Sequence, residues 1–284
     1  MTTLLPGETL AASLAEKVSD TWQRIIARRT AKETITPGWI LQSLGLQPGS
    51  TELRRAIFEL VRRMPYQLGS WNNQSMSLFE QGFGDCRHKA AAAERLLVAG
   101  GITARRKLVQ FDWADLPVPP EILAILPQTQ GFHDTVTFEL NGKTCLFDAT
   151  WDIALRGAGF PVMPSWDGNS DTWSVTSRMS TQQTVQMPQP GQDIYSANQM
   201  SWPQREKTMA FNQALNSWLD DVRANRDDWC TIVHSDVEAT RLSLKTCLGR
   251  HCCKVSDEAA FCLIQRPYIS KTLLTRRISP RGSP

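Results

Sequence analysis

The dipeptide Asn141-Gly142 fixes how the middle of this chain can fold. It separates two runs in which apolar and polar residues alternate, which is the pattern of two β-strands joined by a two-residue type I′ turn. Counting outward from the turn sets the strand register and predicts that Phe138 lies opposite Cys145. One face of the predicted hairpin is then apolar, and the other face is mostly polar.

The same register brings a histidine close to a carboxylate. His133 and Asp148 fall on the polar face as diagonal neighbours on adjacent strands, within reach of each other. An imidazole that is oriented by a carboxylate is the base that a thiol nucleophile needs. The alternative is a solvated polar face with an incidental histidine. A shift of one residue would place the two side chains on opposite faces, so the structure tests this prediction.

A cysteine stands at the start of a predicted helix. Gly84, Asp85 and Cys86 precede an alanine-rich helical run at 89–97. We expect Asp85 to cap the helix and Gly84 to let the chain turn sharply into it. A thiol in this position faces the positive end of the helix dipole, which favours the thiolate, and the unpaired amides can hold an oxyanion. The alternative is a buried structural cysteine.

Four motifs in order along the chain resemble the transglutaminase-like superfamily. They are Gly84-Asp85-Cys86, Gly101-Ile102-Thr103-Ala104-Arg105, His133-Asp134 and Phe147-Asp148-Ala149-Thr150-Trp151-Asp152. The resemblance covers residues 50–180. It implies an α+β fold in which a catalytic helix packs on an antiparallel sheet, as in papain-like enzymes. It also implies a triad with Cys86 as nucleophile, His133 as general base and acid, and Asp148 as the residue that orients His133.

The resemblance further implies the type of reaction. It points to a thiol enzyme that needs no cofactor or metal and attacks an amide or thioester carbonyl to form a Cys86 acyl-enzyme. The acyl group then passes to an amine or to water. The implied partners are a peptide, amide or thioester acyl donor and an amine acceptor, and the resemblance does not name either of them. The alternative is a non-catalytic interaction module on the same fold.

Two further regions supply candidate binding residues. The amide-rich loop at 66–83 leads into the nucleophile, and Gln67 or Trp71 is a candidate second donor to an oxyanion. Trp151 belongs to a group of tryptophans that could line a substrate cleft. The alternatives are a surface loop with an anchoring tryptophan, and tryptophans that belong to the core.

Composition and helical periodicity divide the chain into four segments. We predict an N-terminal helical extension at 1–49, the catalytic core at 50–180, and a linker with a helix that packs on the core at 181–240. The last segment, 241–284, holds nine basic residues against two acidic ones, a net charge of +7, and four of the seven cysteines. Its composition is typical of an unpacked terminus.

The same composition argues against several other classes of protein. The tail cysteines lack the two spaced pairs of a zinc site, and aromatic residues are too sparse there to predict nucleic-acid binding. No apolar run is long enough to predict a membrane span. The N-terminus lacks the pattern of a secretory signal, and an odd number of irregularly spaced cysteines suggests free thiols. We therefore expect a cytoplasmic protein.

Overall fold

Several helices precede the sheet along the chain. The computed structural model describes residues 6–70, 76–176 and 185–224, so the predicted tail at 241–284 lies outside the described residues. The side-chain oxygen of Ser50 accepts a hydrogen bond from the Leu53 N–H at 3.1 Å, as expected for an N-cap. The helices before the sheet are α1 (Pro6–Thr30), α2 (Pro37–Leu44), α3 (Thr51–Arg62), α4 (Ser77–Gln81) and α5 (Cys86–Ala99).

The described residues after α5 form a three-stranded antiparallel sheet and further helices. The strands lie in the order β1 (Ala104–Asp112), β2 (Gln130–Leu140) and β3 (Lys143–Phe147). The predicted mixed α+β architecture is confirmed. Within the described ranges, no helix is long and apolar enough to cross a membrane. The remaining α-helices are α6 (Pro120–Leu123), between β1 and β2, and then α7 (Ile194–Ala197) and α8 (Arg205–Ala224). Two short 3-10 helices follow β1 and β3, at Trp113–Asp115 and Ile153–Ala158.

The hairpin of β2 and β3 has the predicted register. Phe138 lies opposite Cys145, and the strands meet at a turn in which both central residues have positive φ. These values are 51° at Asn141 and 77° at Gly142, as a type I′ turn requires. Because β3 ends at Phe147, Asp148 is the first residue of a loop at the edge of the sheet.

The apolar face of the hairpin is covered by helices α3 and α5. Val136, Phe138 and Phe147 are at most 1% exposed and share one hydrophobic cluster with both helices. Trp166 closes this cluster, with its ring centroid 5.3 Å from that of Phe147 and 5.4 Å from that of Phe58. This core fixes α5, which begins with the cysteine, against the central strand.

Helix α8 packs on a second cluster at the other end of β2. Phe211, Leu215 and Leu219 recur at every fourth position and are at most 2% exposed. The Phe211 ring lies 5.2 Å from Trp113, which follows β1. Trp151 belongs to the same cluster, so α8 contributes to the packing of the loop that follows β3.

An ion pair at the end of α8 ties this helix to that loop. Arg223 Nη2 donates to Asp152 Oδ2 at 2.8 Å and to the Tyr66 carbonyl at 2.8 Å. The same Asp152 oxygen accepts a hydrogen bond from the Tyr66 N–H at 2.9 Å. The Asp152 side chain is only 6% exposed, so these partners, and not water, stabilise its negative charge.

We expect Arg223→Met to lower the free energy of unfolding by about 3 kcal/mol, because it removes the ion-pair partner of the buried Asp152 carboxylate. Urea denaturation would measure the change. Asp220→Asn is the matched control, since Asp220 also pairs with Arg223 but its side chain is 71% exposed. That control should cost no more than about 1 kcal/mol. Equal stability of the two variants would contradict this role of the pair.

Candidate active site

Cys86 is the first residue of α5, where sequence analysis placed it. Asp85 is the N-cap, with extended backbone, and its Oδ1 accepts a hydrogen bond from the Arg87 N–H at 3.0 Å. The Cys86 side chain is half-buried. A thiol here is therefore accessible and lies beside the unpaired N–H groups of a helix N-terminus.

The capping carboxylate of Asp85 is buried and doubly paired. Arg87 Nη2 lies 2.6 Å from its Oδ2, and His88 Nδ1 lies 2.8 Å from its Oδ1. Burial by itself would raise the pKa of Asp85, but the hydrogen bonds with His88 and Arg87 outweigh it and hold the pKa below its usual range. The cap is thus ionised at neutral pH, which suits the positive end of the helix.

Gly84 precedes the cap for a reason other than the predicted one. The φ angle of Gly84 is not positive, so the backbone conformation there does not require glycine. A Cβ at this position would lie 2.6 Å from the Cβ of His88 and 3.1 Å from Cδ1 of Leu78. The close packing of His88 on the backbone is what excludes a side chain at Gly84.

The predicted contact between His133 and Asp148 is present. His133 Nε2 lies 2.8 Å from Asp148 Oδ2, and both side chains are at most 4% exposed. Two further bonds hold the carboxylate and its backbone. Asp148 Oδ1 accepts from the Thr150 N–H at 3.1 Å, and the Asp148 N–H donates to Thr172 Oγ1 at 2.7 Å. Asp148 is therefore fixed on both sides while it faces the ring.

Cys86 lies within hydrogen-bonding reach of the same imidazole. Because Asp148 occupies Nε2, we expect Cys86 to contact the other ring nitrogen, Nδ1. Burial by itself would lower the pKa of His133, but the charge and hydrogen bond of Asp148, with smaller contributions from Cys86, raise it to about 10. His133 is thus an imidazolium at neutral pH, placed between a carboxylate and a thiol.

The other three candidate residues have different environments. Trp71 lies outside the described residues. The Gln67 N–H donates to the Gly84 carbonyl at 3.1 Å, which places Gln67 beside the segment that leads into Cys86. Trp151 is 5% exposed, and its indole N–H donates to the Val175 carbonyl at 2.7 Å. The bonded N–H of Trp151 is therefore not available to an oxyanion, but the side chain lines a small cavity together with Asp148. Gln67 is the described residue that remains as a second donor to the oxyanion.

Sequence reasoning missed two buried polar residues on α5. His88 is 3% exposed and occupies the N3 position of a capping box with Asp85, a place where glutamate or glutamine is usual. Lys89 is 1% exposed. Helical periodicity carried a signal for it, because Lys89 shares a stripe with Ala93 and Leu96, which are both buried.

The chain matches no protein-family model, and no curated protein is significantly similar to it. The functional conclusion therefore depends on the residues themselves and on their geometry, chiefly on Cys86, His133 and Asp148.

Proposed function

We propose that this protein is a thiol enzyme with a transglutaminase-like catalytic core, which attacks an amide or thioester carbonyl through Cys86. One observation carries the proposal. The buried imidazole of His133 has a carboxylate oxygen 2.8 Å from Nε2, and a helix N-terminal cysteine lies within hydrogen-bonding reach of the same ring. The order of these groups is the one that nucleophilic catalysis by a thiol requires.

The first half of the reaction acylates the cysteine. The Cys86 thiolate attacks the carbonyl carbon, a carbon–sulfur bond forms, and the carbonyl oxygen becomes an oxyanion. Collapse of this intermediate breaks the bond to the leaving group, an amine or a thiol, and His133 gives it a proton. The imidazolium is suited to this step because it already holds the proton near neutral pH. The product is a thioester on Cys86 and a neutral His133.

The second half releases the acyl group. An amine or a water molecule attacks the thioester carbonyl and loses a proton to His133. The carbon–sulfur bond then breaks, and the Cys86 thiolate and the imidazolium are restored. Asp148 keeps Nε2 protonated and the ring in place through both halves. The Cys86 N–H and a donor from Gln67 are the groups that we assign to the oxyanion.

Intact-mass spectrometry tests the proposal directly. The full-length protein is incubated with glutamine-containing peptides, simple amides and acyl thioesters, with and without a primary amine. We expect an acyl adduct that maps to Cys86 and disappears in Cys86→Ala, and its decay products distinguish transfer to the amine from hydrolysis. Cys145→Ala is the matched control, because Cys145 is a free but buried cysteine and should keep the adduct.

Two outcomes would overturn the proposal. An adduct that persists in a folded Cys86→Ala variant would place the nucleophile elsewhere. No adduct with any donor, from a folded protein whose Cys86 thiol still reacts with iodoacetamide, would favour a non-catalytic interaction module on the same fold.

A further inference from the structure

Lys89 is a fully buried lysine that the proposed mechanism does not use. Its side chain lies on α5 one turn after Cys86 and is 1% exposed. Its Nζ donates a long hydrogen bond of 3.5 Å to the carbonyl of Ala149. Ala149 directly follows Asp148, so the lysine connects the helix that carries the thiol to the loop that carries the carboxylate.

Charges surround this amine on several elements. Asp148 and Asp152, at the two ends of the same short loop, attract the ammonium, whereas Arg62 at the end of α3 and Arg223 on α8 repel it. Burial is the largest effect and lowers the pKa of Lys89 to about 7. The amine is therefore held against the 148–152 loop by a backbone carbonyl, and the charges of the carboxylates at both ends of the loop favour its protonated form.

A purely structural explanation accounts poorly for a lysine at this position. Its neighbours on the buried stripe are alanine and leucine, and an apolar side chain of similar length would fill the same space without the cost of burying an amine. Lys89 also lines one small cavity together with Thr135, Asp148 and Ala149. Its polar end thus points toward the part of the loop that positions the triad.

We propose that Lys89 is a positioning residue, which anchors the 148–152 loop to α5 and so keeps Asp148, His133 and Cys86 in line. The inference rests on the proposed thiol-enzyme function, because it concerns the alignment of that enzyme's reactive groups. It assigns Lys89 no contact with the substrate. Its effect passes through Ala149 and Asp148 to the His133 ring.

Lys89→Met, which keeps the length and removes the amine, tests this role. We expect iodoacetamide to alkylate Cys86 at pH 7 about ten-fold more slowly than in the wild type. We also expect the low-field proton resonance of the His133–Asp148 hydrogen bond to broaden or vanish, with a thermal midpoint at least as high as that of the wild type. Lys107→Met is the control, because it removes the same charge from an exposed site on β1 and should leave both readouts unchanged.

A second variant covers the case in which Lys89→Met does not fold. Lys89→Gln keeps an N–H donor on a shorter side chain and should give intermediate alkylation and a partly retained resonance. Wild-type alkylation and a wild-type resonance in folded Lys89→Met would show that Lys89 only fills the core. If only Lys89→Gln folds, wild-type values of both readouts would contradict the need for the full-length amine. Neither readout uses a substrate. A protein that forms no acyl adduct but loses both signals in Lys89→Met would therefore overturn the proposed reaction and not the positioning role.

Discussion

Replacing Asp148 with asparagine is expected to lower kcat for acyl transfer by about 10⁴-fold. The amide cannot supply the negative charge, and it is free to hold the His133 ring in the wrong tautomer. Asp148 is the main group that opposes burial and raises the pKa of His133, so its loss lets that pKa fall. The imidazolium that we assign as the proton donor is then depleted at neutral pH.

The same variant has a readout that needs no substrate. In the wild type, the positive charge of the His133 ring persists up to about pH 10, so it should favour alkylation of Cys86 throughout the range from pH 6 to pH 8. In Asp148→Asn, alkylation between pH 6 and pH 8 should slow markedly. Mass spectrometry of the alkylated peptide at each pH gives both profiles.

Asp134→Asn is the matched control for Asp148→Asn. Asp134 is a neighbouring carboxylate on β2, and its partner is Arg106, whose side chain is 40% exposed. Loss of such a surface pair should change kcat by no more than about five-fold. An Asp148→Asn enzyme with kcat near that of Asp134→Asn would remove Asp148 from the triad.

The second large expected effect is a pair of opposite pH dependences of stability. His133 has a pKa of about 10 in the folded protein against an ordinary value of 6.5, so the folded state holds the extra proton between these values. The stability that it contributes is fully present below pH 6.5 and is lost as the pH rises through 10. Lys89 behaves in the opposite sense, because burial lowers its pKa from 10.5 to about 7. Its contribution to stability rises with pH between 7 and 10.5.

In the wild type these two contributions oppose each other, so single variants should reveal them. The His133→Gln variant retains only the contribution of Lys89, so the free energy of unfolding of this variant should increase with pH between 7 and 10. Lys89→Met leaves the His133 effect, and its free energy of unfolding should decrease over the same range. Each slope should approach about 1.4 kcal/mol per pH unit.

Urea denaturation at several pH values between 7 and 10 measures these slopes. The wild-type curve should lie between those of the two variants and be the flattest of the three. Lys107→Met again serves as the control, because an exposed lysine should leave the wild-type pH dependence unchanged. If the free energies of unfolding of His133→Gln and Lys89→Met changed with pH in the same direction, at least one of the two groups would not have its shifted pKa in the folded protein.

Local rules were sufficient for the features that first indicated a thiol site. The Asn141-Gly142 turn demands one backbone geometry, and the alternation of side chains then leaves one register, so the approach of His133 to Asp148 followed from counting. The caps at Ser50 and Asp85 likewise depend on groups within three residues of each other. The assignment to the transglutaminase-like family, and the catalytic role of the triad, remain predictions.

Long-range packing decided the rest, because it joins residues that no local rule relates. Arg223 meets Asp152 across 71 residues, and Lys89 meets the Ala149 carbonyl across 60. The indole N–H of Trp151 bonds the Val175 carbonyl, which lies 24 residues further along the chain. The sequence by itself determined the hairpin, the helix that begins at Cys86 and the pairing of His133 with Asp148, since each depends on neighbours along the chain. Only the tertiary structure decided which charged side chains are buried near these groups, since burial depends on which distant elements pack together.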